Sequence, residues 1–517
     1  MPGSAETDAE YAAEEASLNR AEEVDDLLDA VKSLILPYIR DADNAVSDRA
    51  HGYIAAGAPG APTRNVLVDS HKPEGLVEKL AFSIPEKGAG KEGLLEIVQL
   101  VLRYSVNTWD QGFLDKLYSS VTPVGVVSNL VLTVLNTNVH VYKTSPALTV
   151  IEKTTARKLA NLFGFNGPRA GGITCQGGSS SNLTSLVVAR NTLFPETKTG
   201  GNGSFRFALF TSEHGHYSVE KAAVACGMGS DSVVAVAVDA AGRMDPAALR
   251  AAVARAAADG RTPLYVNATA GTTVWGSYDP IAAIADVADA HGLWLHVDAS
   301  WGGPAAFSPA LRARGLLAGA ERARSLTVNP HKMLNVPVTC SFLLAPDVAV
   351  LHRANTLRAG YLFHSDAGEE EEVWDLADLT LQCGRRGDSL NLALAWAYYG
   401  TAGLARRVER AFATAAYLAA QVDADEDLAL LSPRPPPCLQ VCFYYAPGGA
   451  LPADAAETTR RTREIAARLV SRGFMVDYAP APRGSLFRVV VNCETRRSTV
   501  DGLLRALREV GREVVPQ

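Results

Sequence analysis

The chain is short of positive charge: 49 Lys and Arg stand against 56 Asp and Glu in 517 residues, a formal net charge of −7. Without a basic field it has nothing general with which to grip a phosphate backbone or an anionic bilayer, so nucleic acid and membrane are not expected partners. No run approaches the ~18 uncharged apolar residues of a membrane helix. The acidic lead (Glu6, Asp8, Glu10, Glu14, Glu15, Glu22, Glu23) lacks the apolar stretch of a signal peptide, which predicts a cytoplasmic protein. Cysteines are also few. The seven are odd in number, scattered and without zinc-ligand spacing, so reduced buried thiols and no metal are expected.

What is present reads as ordinary globular material, 47% apolar and 20% charged, in a chain too long for one hydrophobic core. Residues 1–15 read as disordered. Val24, Leu27, Leu28, Val31 and Ile35 have helical spacing, predicting a helix over 21–36 that stops at Pro37. Loop signals follow at Ala55 to Pro62 and at Lys87 to Gly93. From about Asn136, short β-rich runs alternate with amphipathic stretches, the pattern of a parallel α/β sheet. Strands are predicted at 206–212, 233–238, 263–269, 293–298, 325–328 and 340–345, with Asp279 as the N-cap of a helix that Gly292 ends. After Gly387 come helices at 389–399 and 404–422, then strands at 438–445 and 486–492 around another helix, a smaller α+β unit. The domains expected are therefore 1–135, 136–386 and 387–517.

Two glycine motifs need separating. Gly88-Ala89-Gly90-Lys91-Glu92-Gly93 matches a dinucleotide fingerprint in letters only, since Pro85, Glu86 and Lys87 precede it where a strand should run in. Glu92 also stands where a P-loop needs Ser or Thr. Gly177-Gly178-Ser179-Ser180-Ser181-Asn182 is better placed, because it opens an apolar helical pattern whose free N–H groups suit a phosphate; a simple helix cap would look the same. Asp298 ends a predicted parallel strand, where open α/β sheets place ligand-binding groups, although an N-cap reads alike. Asn329-Pro330-His331-Lys332-Met333 follows another strand. A lysine among apolar neighbours loses solvation as an ammonium, so its pKa falls and its amine becomes usable in Schiff-base chemistry.

These motifs, with Thr211-Ser212-Glu213-His214, His216-Tyr217-Ser218, Asn267 to Thr273 and Gln382-Cys383-Gly384-Arg385, make the chain resemble the group II pyridoxal-phosphate decarboxylases from about Leu94 to Gly511. Glutamate and cysteine-sulfinate decarboxylases are closest in pattern. The resemblance implies fold type I: a large, mostly parallel seven-stranded sheet domain, a smaller C-terminal α+β domain, and an N-terminal helical segment that wraps the second subunit of a homodimer with active sites at the interface. It implies pyridoxal 5′-phosphate as cofactor, bound covalently by Lys332, with Asp298 facing the pyridine nitrogen. His216 would stack on the ring, Ser300 would lie on the opposite face, Thr273 near the ring hydroxyl, and Ser179 and Ser180 on the phosphate with His331 close by. Arg488 would grip a substrate carboxylate, while Asn138, His140 and Lys116 would line the side chain of a small acidic amino acid such as glutamate, aspartate or cysteine sulfinate. For Arg488 and Lys116 the competing readings are a structural ion pair and a surface lysine.

The chain also departs from the family. The loop after Tyr361-Leu362-Phe363 runs His364 to Trp374 without the Tyr that members use to protonate Cα after CO2 has left. Thr108 to Gly112 replaces a His-Pro-Arg segment, and Lys143 stands where Glu is common. α-Decarboxylation leads, with His364, His216 or water as proton source. Oxygen-dependent oxidative deamination and carbon–carbon bond formation are the alternatives, followed by a non-catalytic cofactor-binding protein.

Overall fold

The computed structural model describes residues 19–50, 66–357 and 372–515. Residues 1–15, the Gly/Ala/Pro stretch 55–62 and most of the tyrosine-free loop, His364 included, lie outside the described residues.

Seven strands form the large sheet: β2 (Gly171–Cys175), β3 (Phe207–Ser212), β4 (Val233–Val236), β5 (Thr262–Thr269), β6 (Trp294–Ala299), β7 (Ser325–Val328) and β8 (Ser341–Ala345). Their order is β2-β8-β7-β6-β5-β3-β4, and β8 alone runs against the rest. Helices cover both faces, so the strands are apolar throughout and period two decides only which core each side chain enters. Phe210, Val266, Leu295, Val297 and Leu344 point into one core. Leu209, Tyr265, Trp294 and Leu343 point into the other, together with Leu186, Val188 and Ala189 of the helix Gly178–Leu193. By that parity His296 and Asp298 share the face of Trp294 and meet this helix. Trp294 and Tyr265 are fully buried, and at ~25 cal/mol per Å2 each contributes several kcal/mol to that layer.

The second sheet has the order β1-β11-β12-β10-β9, with β9 (Leu428–Leu430), β10 (Gln440–Tyr445), β11 (Met475–Ala479) and β12 (Leu486–Val490) from the C-terminal region. Its outer strand, β1 (Phe113–Leu114), comes from the N-terminal segment and runs parallel to β11. A buried ion pair, Arg385 Nη1 to Glu152 Oε1 at 2.7 Å, ties the start of the C-terminal half to the helix Pro146–Leu162. Glu152 Oε1 also accepts from Thr174 N of β2 at 2.9 Å. Removing one partner of such a pair costs about 3–5 kcal/mol, because the other charge stays buried.

Several local expectations need correcting. The first helix spans Arg20–Ala50 and runs through Pro37. Proline removes one hydrogen bond there, but helix formers on both sides and packing against the C-terminal helix Arg497–Val514 carry it across. Gly90 and Gly93 lie in the first turn of the helix Gly90–Tyr104, so the predicted loop stops short of them and no strand leads in. Asp279 is no N-cap. Pro280 holds that position, while the buried Asp279 carboxylate accepts from Met244 N at 2.7 Å and Thr269 N at 2.8 Å, and burial pushes its pKa up to about 6. The helices predicted at 389–399 and 404–422 abut at Gly400, whose φ of 66° breaks the run Ser389–Asp423 in two.

Candidate active site

The C-terminal ends of the parallel strands and the N-terminus of the helix Gly178–Leu193 enclose a cavity of about 220 Å3. Of the residues singled out from sequence, Ser179, His216, Thr273, Asp298, Ser300, His331 and Lys332 all border it. Ser180 does not, although it follows Ser179 in the same helical turn. Gly177, with φ of 89°, swings the chain from β2 into that helix, leaving the first-turn N–H groups without helical partners at the cavity.

Lys332 and Asp298 dominate the electrostatics. Burial pushes the Lys332 amine below its ordinary pKa, with the Asp298 charge opposing. Burial alone would raise Asp298. The hydrogen bond from Ser300, the charge of Lys332 and the hydrogen bond from Asn182 outweigh it and hold the carboxyl below its usual value. Its two oxygens are separately engaged: Oδ1 accepts from Ser300 N at 3.1 Å and Oδ2 from Asn182 Nδ2 at 2.9 Å. His216 is held neutral by burial, and its Nδ1 accepts from Ser218 N at 3.2 Å. Burial lowers His331 to about 4, and its Nδ1 lies 2.7 Å from Cys340 O.

The residues expected around substrate fall into two places. Arg488 on β12 is buried, with Nη1 donating to the Thr273 carbonyl at 3.0 Å, which links it to the cavity wall. Its Nη2 donates to Asp115 O at 3.0 Å and to Asp477 Oδ2 at 2.5 Å, while Nε has no partner among the described residues. Lys116 reaches the same Asp477 Oδ2 at 3.0 Å and Asp115 Oδ1 at 3.0 Å. Two cations and two carboxylates thus balance one another beside Thr273. Burial works against the Lys116 charge, but Asp115 and Asp477 outweigh it and hold the amine protonated. Asn138 and His140 do not border the cavity of their own chain. Asn138 Oδ1 accepts from Arg385 N at 2.9 Å, and His140 Nδ1 lies 3.1 Å from Asn138 O.

Sequence reasoning left Asn182, Thr269, Gly271, Trp301 and Asn329 without roles, yet all five border the cavity. It missed Gln440 and Asp477 altogether. Gln440, on β10, donates to the Thr272 carbonyl at 2.7 Å and accepts from Trp301 Nε1 at 2.8 Å, bracing the site against the C-terminal sheet. Pairing across β11 and β12 sets Asp477 opposite Arg488, a signal that needs the strand register.

A lysine and a buried carboxylate sharing a cavity capped by a helix N-terminus define, on this fold, a pyridoxal-phosphate enzyme. Residues 73–446 match the family described as "Pyridoxal-dependent decarboxylase conserved domain". The chain is 57% identical over 499 residues to the L-aspartate decarboxylase dtxS4 of Metarhizium robertsii, covering 96% of this chain and 99% of that one. It is 37% identical over 465 residues to the human cysteine sulfinic acid decarboxylase, covering 88% of this chain and 93% of that one. The crystal structure of mouse CSAD in apo form superposes with a TM-score of 0.81 at 34% identity, over 93% of this chain and 99% of that one. The chain belongs to the pyridoxal-dependent decarboxylase family and is a pyridoxal-phosphate-dependent carboxy-lyase of fold type I.

The residues fit that cofactor. A Cβ on Gly178 would lie 2.7 Å from Asn329 Nδ2 and 2.8 Å from Ser300 Oγ, so the cradle admits only glycine there. Thr269 Oγ1, buried at the cavity wall, has no partner among the described residues. Gly178→Ala is therefore expected to weaken cofactor affinity about ten-fold or more while leaving the urea unfolding midpoint of the apoprotein within a few tenths of a molar of the parent. Equal affinity in a fluorescence titration of apoprotein would contradict the cradle.

Proposed function

We propose that the chain removes the α-carboxylate of L-aspartate as CO2 and leaves β-alanine. The observation that carries this reading is the end-to-end similarity to a protein named L-aspartate decarboxylase. The cluster of Lys116 and Arg488 beside Thr273 supports it, since a substrate with two carboxylates asks for two cationic partners.

In this reading Lys332 would carry the cofactor through its amine, and the burial that pushes the amine below its ordinary pKa favours the neutral, nucleophilic form. Bound pyridoxal phosphate supplies a cationic ring that takes up the electron pair left when CO2 departs. Asp298 holds the proton on the ring nitrogen. His216 would stack on the ring, with Ser300 on the opposite face and Thr273 near the ring hydroxyl, since all three border the cavity. Ser179 and the free N–H groups of the helix's first turn, that of Ser180 among them, would bind the phosphate, with His331 beside them. Arg488 and Lys116 turn from Asp477 and Asp115 to the substrate carboxylates, which fixes the scissile bond in orientation. Asn138 and His140 keep their role by reaching the cavity of a second copy.

The homodimer is part of this proposal, as are the divisions at 135/136 and 386/387. The helix Pro123–Leu135 leaves Val126, Val127, Leu130, Val131, Val134 and Leu135 exposed, an apolar face that a second copy would cover. All seven cysteines are free, which suits a reducing cytosol, and no helix among the described residues is long and apolar enough to cross a membrane.

Purified enzyme given L-aspartate, L-glutamate and L-cysteine sulfinate should release CO2 and equimolar amine without oxygen uptake. Aspartate should exceed glutamate at least about ten-fold in kcat/KM, the discrimination one methylene allows. A preference for either other acid overturns the substrate; stoichiometric oxygen uptake with aldehyde favours the oxidative reading that the tyrosine-free loop raises. Sedimentation equilibrium should return twice the chain mass, and a monomer at micromolar concentration would remove the dimer.

A further inference from the structure

A chain of hydrogen bonds runs behind Asp298, and the donors and acceptors along it can be assigned one by one. Its origin is Trp294 Nε1, which donates to Ser325 Oγ at 2.8 Å. Indole can only donate, so the serine oxygen accepts there and its own proton is available to His296 Nδ1, 2.8 Å away. His296 is fully buried, and burial lowers its pKa to about 4, so the ring is neutral and carries a single proton. With Nδ1 accepting, that proton sits on Nε2, which faces Asn182 Oδ1 at 3.1 Å and Thr327 Oγ1 at 3.3 Å.

The histidine thereby sets the orientation of the amide. Asn182 turns its oxygen to His296 and its NH2 to the other side, where one hydrogen meets Ser218 Oγ at 2.9 Å and the other Asp298 Oδ2 at 2.9 Å. Reversing the amide would set its oxygen against a carboxylate and leave the His296 proton facing an NH2 group. Asn182 is only 2% exposed, so its amide is held by these protein partners. A group that can only donate satisfies an ionised carboxylate oxygen and cannot satisfy one that bears a proton.

We propose that Asn182 is a positioning residue, polarised by Trp294, Ser325 and His296, that presents only a donor to Asp298 and so holds it as an anion pointed at the cofactor ring. The other titratable groups facing Asp298 are Lys332 and His216 across the cavity and His296 behind, with Tyr265 stacked on His296 at 5.8 Å. The relay uses side chains of β6, β7 and the phosphate-binding helix, so one device aligns the elements that hold both ends of the cofactor. The inference rests on the reading that Asp298 faces the ring nitrogen.

Two measurements test it. In holoenzyme labelled with 15N-histidine, the His296 signal, identified by its loss in His296→Gln, should show Nε2 protonated and Nδ1 bare throughout the neutral pH range. A proton on Nδ1 reverses the relay and overturns the proposal, and this readout needs no substitution at Asn182 to fold. Second, apoenzyme variants are titrated with pyridoxal phosphate. Asn182→Asp, nearly isosteric, replaces the donor by an acceptor, whereas Asn182→Ala merely removes it. Affinity should fall about ten-fold or more in Asn182→Asp, and further than in Asn182→Ala. A merely structural role predicts the opposite order, and that order, or affinity of Asn182→Asp within two-fold of the parent, overturns the proposal. Asp298→Asn serves as the control: if it binds cofactor as tightly as the parent, the ring-nitrogen reading falls and this inference with it, whereas a loss there without one in Asn182→Asp sinks the inference alone.

Discussion

A carboxylate held ionised inside a protein wall is the constraint on which the site depends. Desolvation alone would favour a protonated Asp298, and a neutral acid could not serve the role proposed for it, keeping a proton on a pyridine ring. The answer is local: a backbone N–H, an amide NH2 and a nearby ammonium all converge on one strand end. Each of these requires an element in a fixed place. Ser300 follows β6, Asn182 lies in the first turns of the helix that caps the cavity, and Lys332 sits just past β7. The parallel sheet supplies that convergence, because its strands deliver their C-terminal ends to one edge and a helix begins there.

The same wall lowers the Lys332 pKa, so burial favours the neutral amine while hydrogen bonds and a nearby charge keep the acid ionised against it. Farther out, the balance changes. Lys116 and Arg488 are neutralised by Asp115 and Asp477, so these cations are already satisfied within the chain. In the proposed reading an entering dicarboxylate would have to match what these acids provide, which favours an ionised, compact substrate over an apolar one.

Much of this was legible in the residue order. Short apolar runs, a glycine-serine turn into a helix, an acid at the end of one strand and a lysine just past another all report local geometry, and the residues read from them border one cavity, Ser180 excepted. What could not be read depends on partners distant in sequence. Asp477 acquires meaning only from its register opposite Arg488, and Gln440 only from the docking of the C-terminal sheet on the loop at Thr272. Strand β2 was missed because Gly171 and Gly172 hide it from any propensity argument; Gly172 is needed since a Cβ would lie 2.2 Å from the Leu343 carbonyl. Pro37 and Asp279 misled for a shared reason: in each case tertiary packing supplied what a local rule said was lacking.

The most direct test of the account is chemical. Borohydride reduction of the holoenzyme, followed by proteolysis and mass spectrometry, should place a reduced pyridoxyl group on the peptide carrying Lys332 and on no other. Label on a different lysine, or none in protein that retains cofactor, would contradict it.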